Sequence, residues 1–276
     1  MAEPTSERHP AGLDVRLVQD RGPHGGTRLV IGGVTQSHVY PGDPRDLELE
    51  YVRIIAAIVD GSRETGHPLR ILHLGAGALT LPRYFGTTRP GSVQHVVELH
   101  EDLLDLVLAA LPLPDGVELT VEFADARVAV ERAARTGGGY DVAVVDVFDG
   151  RVAPAHLSTL EFLERLGDLL APDAIVVVNT LATGALDASG AVAATLRAFR
   201  PAVVGLAHPG VVDGTAIGNV VYAASTVAFP TGRILDLADR GPRPIAVLDG
   251  DDLATFIGGA AVAHDPVAVH DPAEPS

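Results

Sequence analysis

The chain of 276 residues has no cysteine and no tryptophan, and all 20 of its basic residues are arginine, so lysine is missing as well. Without cysteine there are no disulfides, thiolate metal sites, iron–sulfur clusters or cysteine nucleophiles. Without lysine, Schiff-base chemistry, pyridoxal phosphate anchoring and a Walker-type phosphate lysine fall away. Long apolar runs are also missing: none approaches the roughly 20 residues that span a bilayer. The opening of the chain is charged or broken by Gly and Pro where a signal peptide needs an apolar centre. A cytosolic protein is expected. Positive charge is scarce, and a formal net charge of −16 repels phosphate backbones. Nucleic acid is therefore not an expected partner, whereas a small cation is attracted. An acidic surface also serves solubility alone.

What is present is enough for one large α/β domain and a small appendage, a size that buries about 75% of the unfolded surface. Residues 1–12 and 264–276 are polar and Pro-punctuated and are expected to be loose tails. Within 13–60, the runs LDVRLVQD and TRLVIGGVTQSHVY alternate apolar and polar residues around the turn cluster RGPHGG, which predicts a β-hairpin. A linking helix follows, with Leu47, Tyr51, Ile54, Ile55 and Ile58 at helical spacing and Gly61 expected beyond its end.

The main domain is expected over 61–263. From residue 70 the pattern becomes short, nearly continuous apolar runs, as in strands buried on both faces of a parallel sheet: 70–75, 93–99, 117–123, 140–147 and 174–180. Helical patterns fall at 79–86, 101–111, 126–136, 158–170 and near 188–199. Two later β-rich runs, 202–208 and 218–226, are joined by a turn-rich segment as an antiparallel pair would be. Five parallel strands and a terminal hairpin make a doubly wound, Rossmann-like sheet, the order expected of class I S-adenosylmethionine-dependent methyltransferase-like folds.

Four places carry chemistry. Gly75 and Gly77 follow the first buried strand and precede a helix, which suits either a tight turn or close approach of backbone to a ligand at the strand's carboxyl end. Glu98 closes the next strand, close to the roughly 20-residue spacing at which a carboxylate meets ribose hydroxyls; the alternative is a solvated strand end. Thr80 stands where a dinucleotide fingerprint has its third glycine, favouring a mononucleoside. Asp125, followed by Ala126 at a helix start, is either an N-cap or an adenine contact. Asp146 and Asp149, at a strand-to-loop exit, suit holding or deprotonating an amine, binding a cation, or bonding loop backbone. His73 and His95 lie inside strand runs and read as core residues. No metal spacing is present among the histidines, and no metal site is assigned, although Asn179 could join Asp146 in one. A nucleophile elbow is absent.

In order along the chain, TQSHVY, ELEYVR, LHLGAGALTLPRYF, VVELHEDLL, ADAR, VVDVFDGRVAPAHL and TLEFLERLGDLLAPDAIVVVN resemble the motifs of the spermidine synthase family over about residues 28–226. The resemblance implies that Gln36, Gly75, Gly77, Glu98, Asp125 and Ala126 hold the nucleoside. It implies that Asp146 and Asp149 form the catalytic loop, and that Tyr51 and Asp149 line the amine site. It further implies aminopropyl transfer from decarboxylated S-adenosylmethionine to a small cationic amine, leaving methylthioadenosine, in a homodimer that the apolar alternation of the hairpin permits. Three positions depart from the family pattern: Ala78 replaces the Asp of the glycine loop, Tyr51-Val52-Arg53 replaces Tyr-His-Glu, and Gly150 replaces a Pro. The Arg53 replacement is expected to add positive charge to the amine site. Ordinary S-adenosylmethionine-dependent methyl transfer and a non-catalytic nucleoside-binding or interaction protein are the competing readings.

Overall fold

A computed structural model describes residues 5–8, 14–21, 25–135, 138–148, 153–182 and 187–266. The chain opens with a four-stranded antiparallel sheet, β1 (Thr5–Arg8), β2 (Asp14–Gln19), β3 (Thr27–Ile31) and β4 (Val34–Val39), in sequence order. The run over 27–40, expected as one arm of a hairpin, folds back on itself at Gly32 and Gly33. Both glycines have positive φ, 57° and 80°, and Ile31 pairs with Val34 across them. That is the backbone demanded by a two-residue turn matching strand twist, and only glycine adopts it twice without strain. Thr5–Arg8, expected in a loose tail, pairs antiparallel with β2 as an edge strand.

Helix α1 (Glu50–Ser62) buries Ile54, Ile55 and Ile58 as its spacing predicts, against α8 (Thr231–Ala238) and the main sheet. Gly61 lies inside the last turn, not beyond it. A Cβ there would come within 2.6 Å of Ile234 on α8, so this glycine lets the two helices close on each other.

Among the described residues the main sheet has eight strands. In chain order they are β5 (Arg70–Leu74), β6 (Val93–Glu98), β7 (Glu118–Phe123), β8 (Tyr140–Val145), β9 (Leu170–Ala182), β10 (Ala202–Ala207), β11 (Gly218–Ser225) and β12 (Ala246–Leu248). Across the sheet the order is β12-β10-β11-β9-β8-β5-β6-β7. The five strands β7, β6, β5, β8 and β9 are parallel, and β11 joins β9 antiparallel. Successive residues go to opposite faces: Val142 and Val144 of β8 join one apolar cluster with α1 and α8, Ala143 and Val145 the other. This is why the runs are apolar throughout rather than alternating.

Helices α2 (Thr80–Thr88), α3 (Glu101–Ala110), α4 (Ala126–Ala133), α5 (Leu160–Gly167) and α6 (Asp187–Phe199) connect the strands, with α7 (Pro209–Val212) and α9 (Gly250–Ile257) closing the C-terminal part. The N-terminal sheet packs on α3 through Val15, Leu29 and Val39 against Leu103 and Val107. From β5 the chain moves outward to β6 and β7, then returns to β8 on the other side of β5. The crevice at that reversal, outside the strand carboxyl ends, is where ligands bind in open α/β sheets. No helix among the described residues is long and apolar enough to cross a membrane.

Candidate active site

A cavity of about 560 Å³ opens at this crevice. It brings together Gly75 and Gly77 after β5, Glu98 at the end of β6, Asp125 and Ala126 at the start of α4, Asp146 after β8, Tyr51 of α1 and Gln36 of β4. Asp149 lies outside the described residues.

Glu98 is buried, with 8% of its surface exposed, so it is not a solvated strand end. Its Oε2 accepts the backbone N–H of Ala76 at 3.0 Å and its Oε1 that of His100 at 2.9 Å. Two backbone donors offset the cost of burying the charge. They also tie the glycine loop to the start of α3. Each oxygen keeps a lone pair for a further donor.

The glycine loop is tightly held. Gly75 has φ 94°, and a Cβ on it would approach the Asp146 carbonyl oxygen closer than 3.0 Å. The Ala78 peptide is pinned on both sides: its N–H donates to Ser37 Oγ at 3.1 Å, and its carbonyl accepts from Arg83 Nε at 3.2 Å. Arg83 is itself buried and donates also to the carbonyls of Leu111 and Pro112. Leu79 then turns through φ 58°, the single non-glycine residue with positive φ among those described. Neither Arg83 nor the Leu79 turn was marked by any sequence pattern.

Asp125 is the N-cap. Its Oδ1 accepts from the N–H groups of Arg127 at 2.9 Å and Val128 at 3.1 Å. Its Oδ2 faces His156 Nε2 at 3.4 Å on the cavity wall.

Asp146 is the most perturbed acid in the cavity. Burial pushes its carboxyl up to about 6, and the Asn179 amide, donating Nδ2–H to its Oδ1 at 2.8 Å, draws it partly back. Asn179 thus turns a donor toward Asp146, the opposite of what a metal would need from it. Among the described residues no three His, Asp or Glu side chains converge as a metal site. Tyr51 donates its hydroxyl to the Gln36 backbone carbonyl at 3.0 Å. Burial, and then the negative charge of Asp146, raise its phenol well above the usual range. His73 is buried with Nε2 3.0 Å from Gln94 Oε1, and burial lowers it to about 4, so it is neutral near pH 7.

No family model matches the chain. Over 146 residues it is 32% identical to a polyamine aminopropyltransferase of Vibrio vulnificus strain CMCP6, covering 52% of this chain and 48% of that protein. Over 136 residues it is 31% identical to an N-terminal histidine N-methyltransferase of Emericella nidulans, covering 48% of this chain and 23% of that protein. The matched stretches thus span about half or less of these curated relatives. A probable spermidine synthase from Corynebacterium glutamicum ATCC 13032 superimposes with a TM-score of 0.87 at 28% identity, covering 98% of this chain and 99% of that one. The chain is similar to that probable spermidine synthase over nearly its whole length.

Two of the positions that depart from the spermidine synthase pattern acquire a physical meaning. Ala78 does not line the cavity; it is fully buried and packs with Val15, Leu29 and Leu103. Arg53, expected to add charge to the amine site, turns away from it. Its guanidinium donates to the carbonyls of Leu47 and Glu48 ahead of α1, because position 53 lies off the face that Tyr51 and Val52 present to the cavity.

Proposed function

We propose that the chain is an aminopropyltransferase that moves the aminopropyl group of decarboxylated S-adenosylmethionine to a di- or polyamine. The observation that carries this reading is the meeting of Glu98, Asp125 and Asp146 in one crevice-floor cavity beside a loop whose Gly75 and Gly77 have no room for a side chain. Glu98 has the geometry to accept from ribose hydroxyls, and Asp125 with Ala126 borders the place of the base. Gln36 and Tyr51 border the opposite wall, with Asp149 assigned to the amine by family pattern alone. An overall charge of −16 favours a cationic acceptor.

In the reaction the amine nitrogen attacks the aminopropyl carbon bonded to sulfur. An N–C bond forms, the C–S bond breaks, and its electron pair returns to sulfur to leave neutral methylthioadenosine. The nitrogen gives its extra proton to Asp146. A carboxyl raised to about 6 is a stronger base than an ordinary aspartate while still ionised near pH 7. The sulfonium is already a good leaving group, so positioning supplies much of the remaining acceleration.

Incubation with decarboxylated S-adenosylmethionine and a panel of diamines releases methylthioadenosine on this reading, and Asp146→Asn abolishes the release. No release above that variant's background refutes it. Methyl transfer is the second reading. It is favoured by Ala78, which leaves no carboxylate at the family's donor-amine position.

A further inference from the structure

Asp146 stands at the end of a line of three polar side chains that crosses three strands. Asn219 Nδ2 donates to Asn179 Oδ1 at 3.0 Å, and Asn179 Nδ2 donates to Asp146 Oδ1 at 2.8 Å. The register of the sheet makes the line. Val145 pairs with Val178, which sets Asp146, just past the end of β8, beside Asn179 of β9. Asn179 pairs with Val221 across the antiparallel β9–β11 ladder, so Asn219 is its diagonal neighbour on the same face. The polarity is dictated from the acid end. A carboxylate only accepts, so Asn179 must present its NH2 to Asp146 and its oxygen to Asn219, which must donate. Asn179 is 2% exposed, so bulk solvent does not reach it to replace a lost partner.

We infer that Asn219 is a positioning residue for the Asp146 carboxylate, acting through Asn179, which it holds in the single orientation that occupies Oδ1 of Asp146 and leaves Oδ2 for the acceptor amine. The catalytic part of this rests on the reading of Asp146 as the base. Asn219 itself does not line the cavity. Removing its amide leaves a buried oxygen of Asn179 unpaired. That amide then rotates, donates less to Asp146, and stabilises its charged form less. The side chains sharing the cavity with Asp146 that carry or take charge are Tyr51 of α1, His73 of β5, Glu98 of β6, His100, Asp125 and His156. The experiment must therefore read Asp146 itself.

The test is a carboxyl-carbon NMR titration of protein labelled at aspartate, with the Asp146 signal assigned by its loss in Asp146→Asn, on the wild type, Asn219→Leu and Asn219→Val. Both variants are neutral and suit a strand, so one folded variant suffices. The expected result is an upward move of the Asp146 midpoint by roughly one pH unit, the scale of a hydrogen bond to a charged group. The acid limb of kcat/KM for methylthioadenosine release should move upward with it. An unchanged midpoint in a folded variant overturns the inference. If Asp146→Asn keeps full turnover, the catalytic reading fails, while the titration still decides whether Asn219 acts on Asp146.

Discussion

The carbonyl oxygen of Asp146 occupies the space a side chain on Gly75 would need, so the glycine loop after β5 and the loop that carries the acid are packed backbone to backbone. Gly75→Ala must relieve both this contact and a φ of 94°. A loss of more than about 1 kcal/mol in stability is expected, with Asp146 displaced. Thermal unfolding and nucleoside titration check it; a variant with native stability and affinity would contradict the packing described.

Glu98→Gln replaces one acceptor oxygen with an NH2 that must face the N–H of Ala76 or His100. Leaving a buried donor unsatisfied costs about 1–3 kcal/mol. Nucleoside affinity should fall at least tenfold, read by calorimetry.

Restoring the family's acid at position 78 should not restore its chemistry. Ala78 packs with Val15, Leu29 and Leu103, away from the cavity. Ala78→Asp is expected to lower stability by roughly 2 kcal/mol or more, without tighter binding of the decarboxylated donor. A gain in that affinity at unchanged melting temperature would show that the loop can turn the position into the cavity.

Asp146→Asn separates the acid's chemistry from its effect on stability. The Asp146 carboxyl titrates at about 6 in the folded chain against an ordinary value of 3.8. The folded state therefore holds more protons between these values, and the stability this group contributes is fully present below about 4 and is lost as pH rises through 6. The Asn variant lacks that dependence. Relative to the wild type it should melt higher at pH 7.5 than at pH 4.5, while releasing no methylthioadenosine. A constant difference across the range would contradict the buried, raised acid.

Much of this architecture was legible because doubly buried strands leave continuous apolar runs. The strand ends read from sequence at 75, 99 and 147 fall within two residues of the observed ends at Leu74, Glu98 and Val145, and they locate the residues of the crevice floor. The Gly32–Gly33 turn was missed although two glycines between β-rich runs signal a two-residue hairpin, because the alternation on both sides reads as one continuous run. The short elements α8, β12 and α9 gave too few turns for a period to emerge. Arg53 looked like a site residue because it stands at the Glu of the family's Tyr-His-Glu motif, a pattern along the chain that does not show which way a helical side chain points. Asn219 left no signal at all, because its closeness to Asn179 is a property of strand register.

The central claim is that this cavity takes an aminopropyl donor. It is tested most directly by calorimetric titration of one preparation with methylthioadenosine, S-adenosylhomocysteine and decarboxylated S-adenosylmethionine. The account predicts that methylthioadenosine or the decarboxylated donor binds most tightly. Tightest binding of S-adenosylhomocysteine would contradict it and assign the site to methyl transfer.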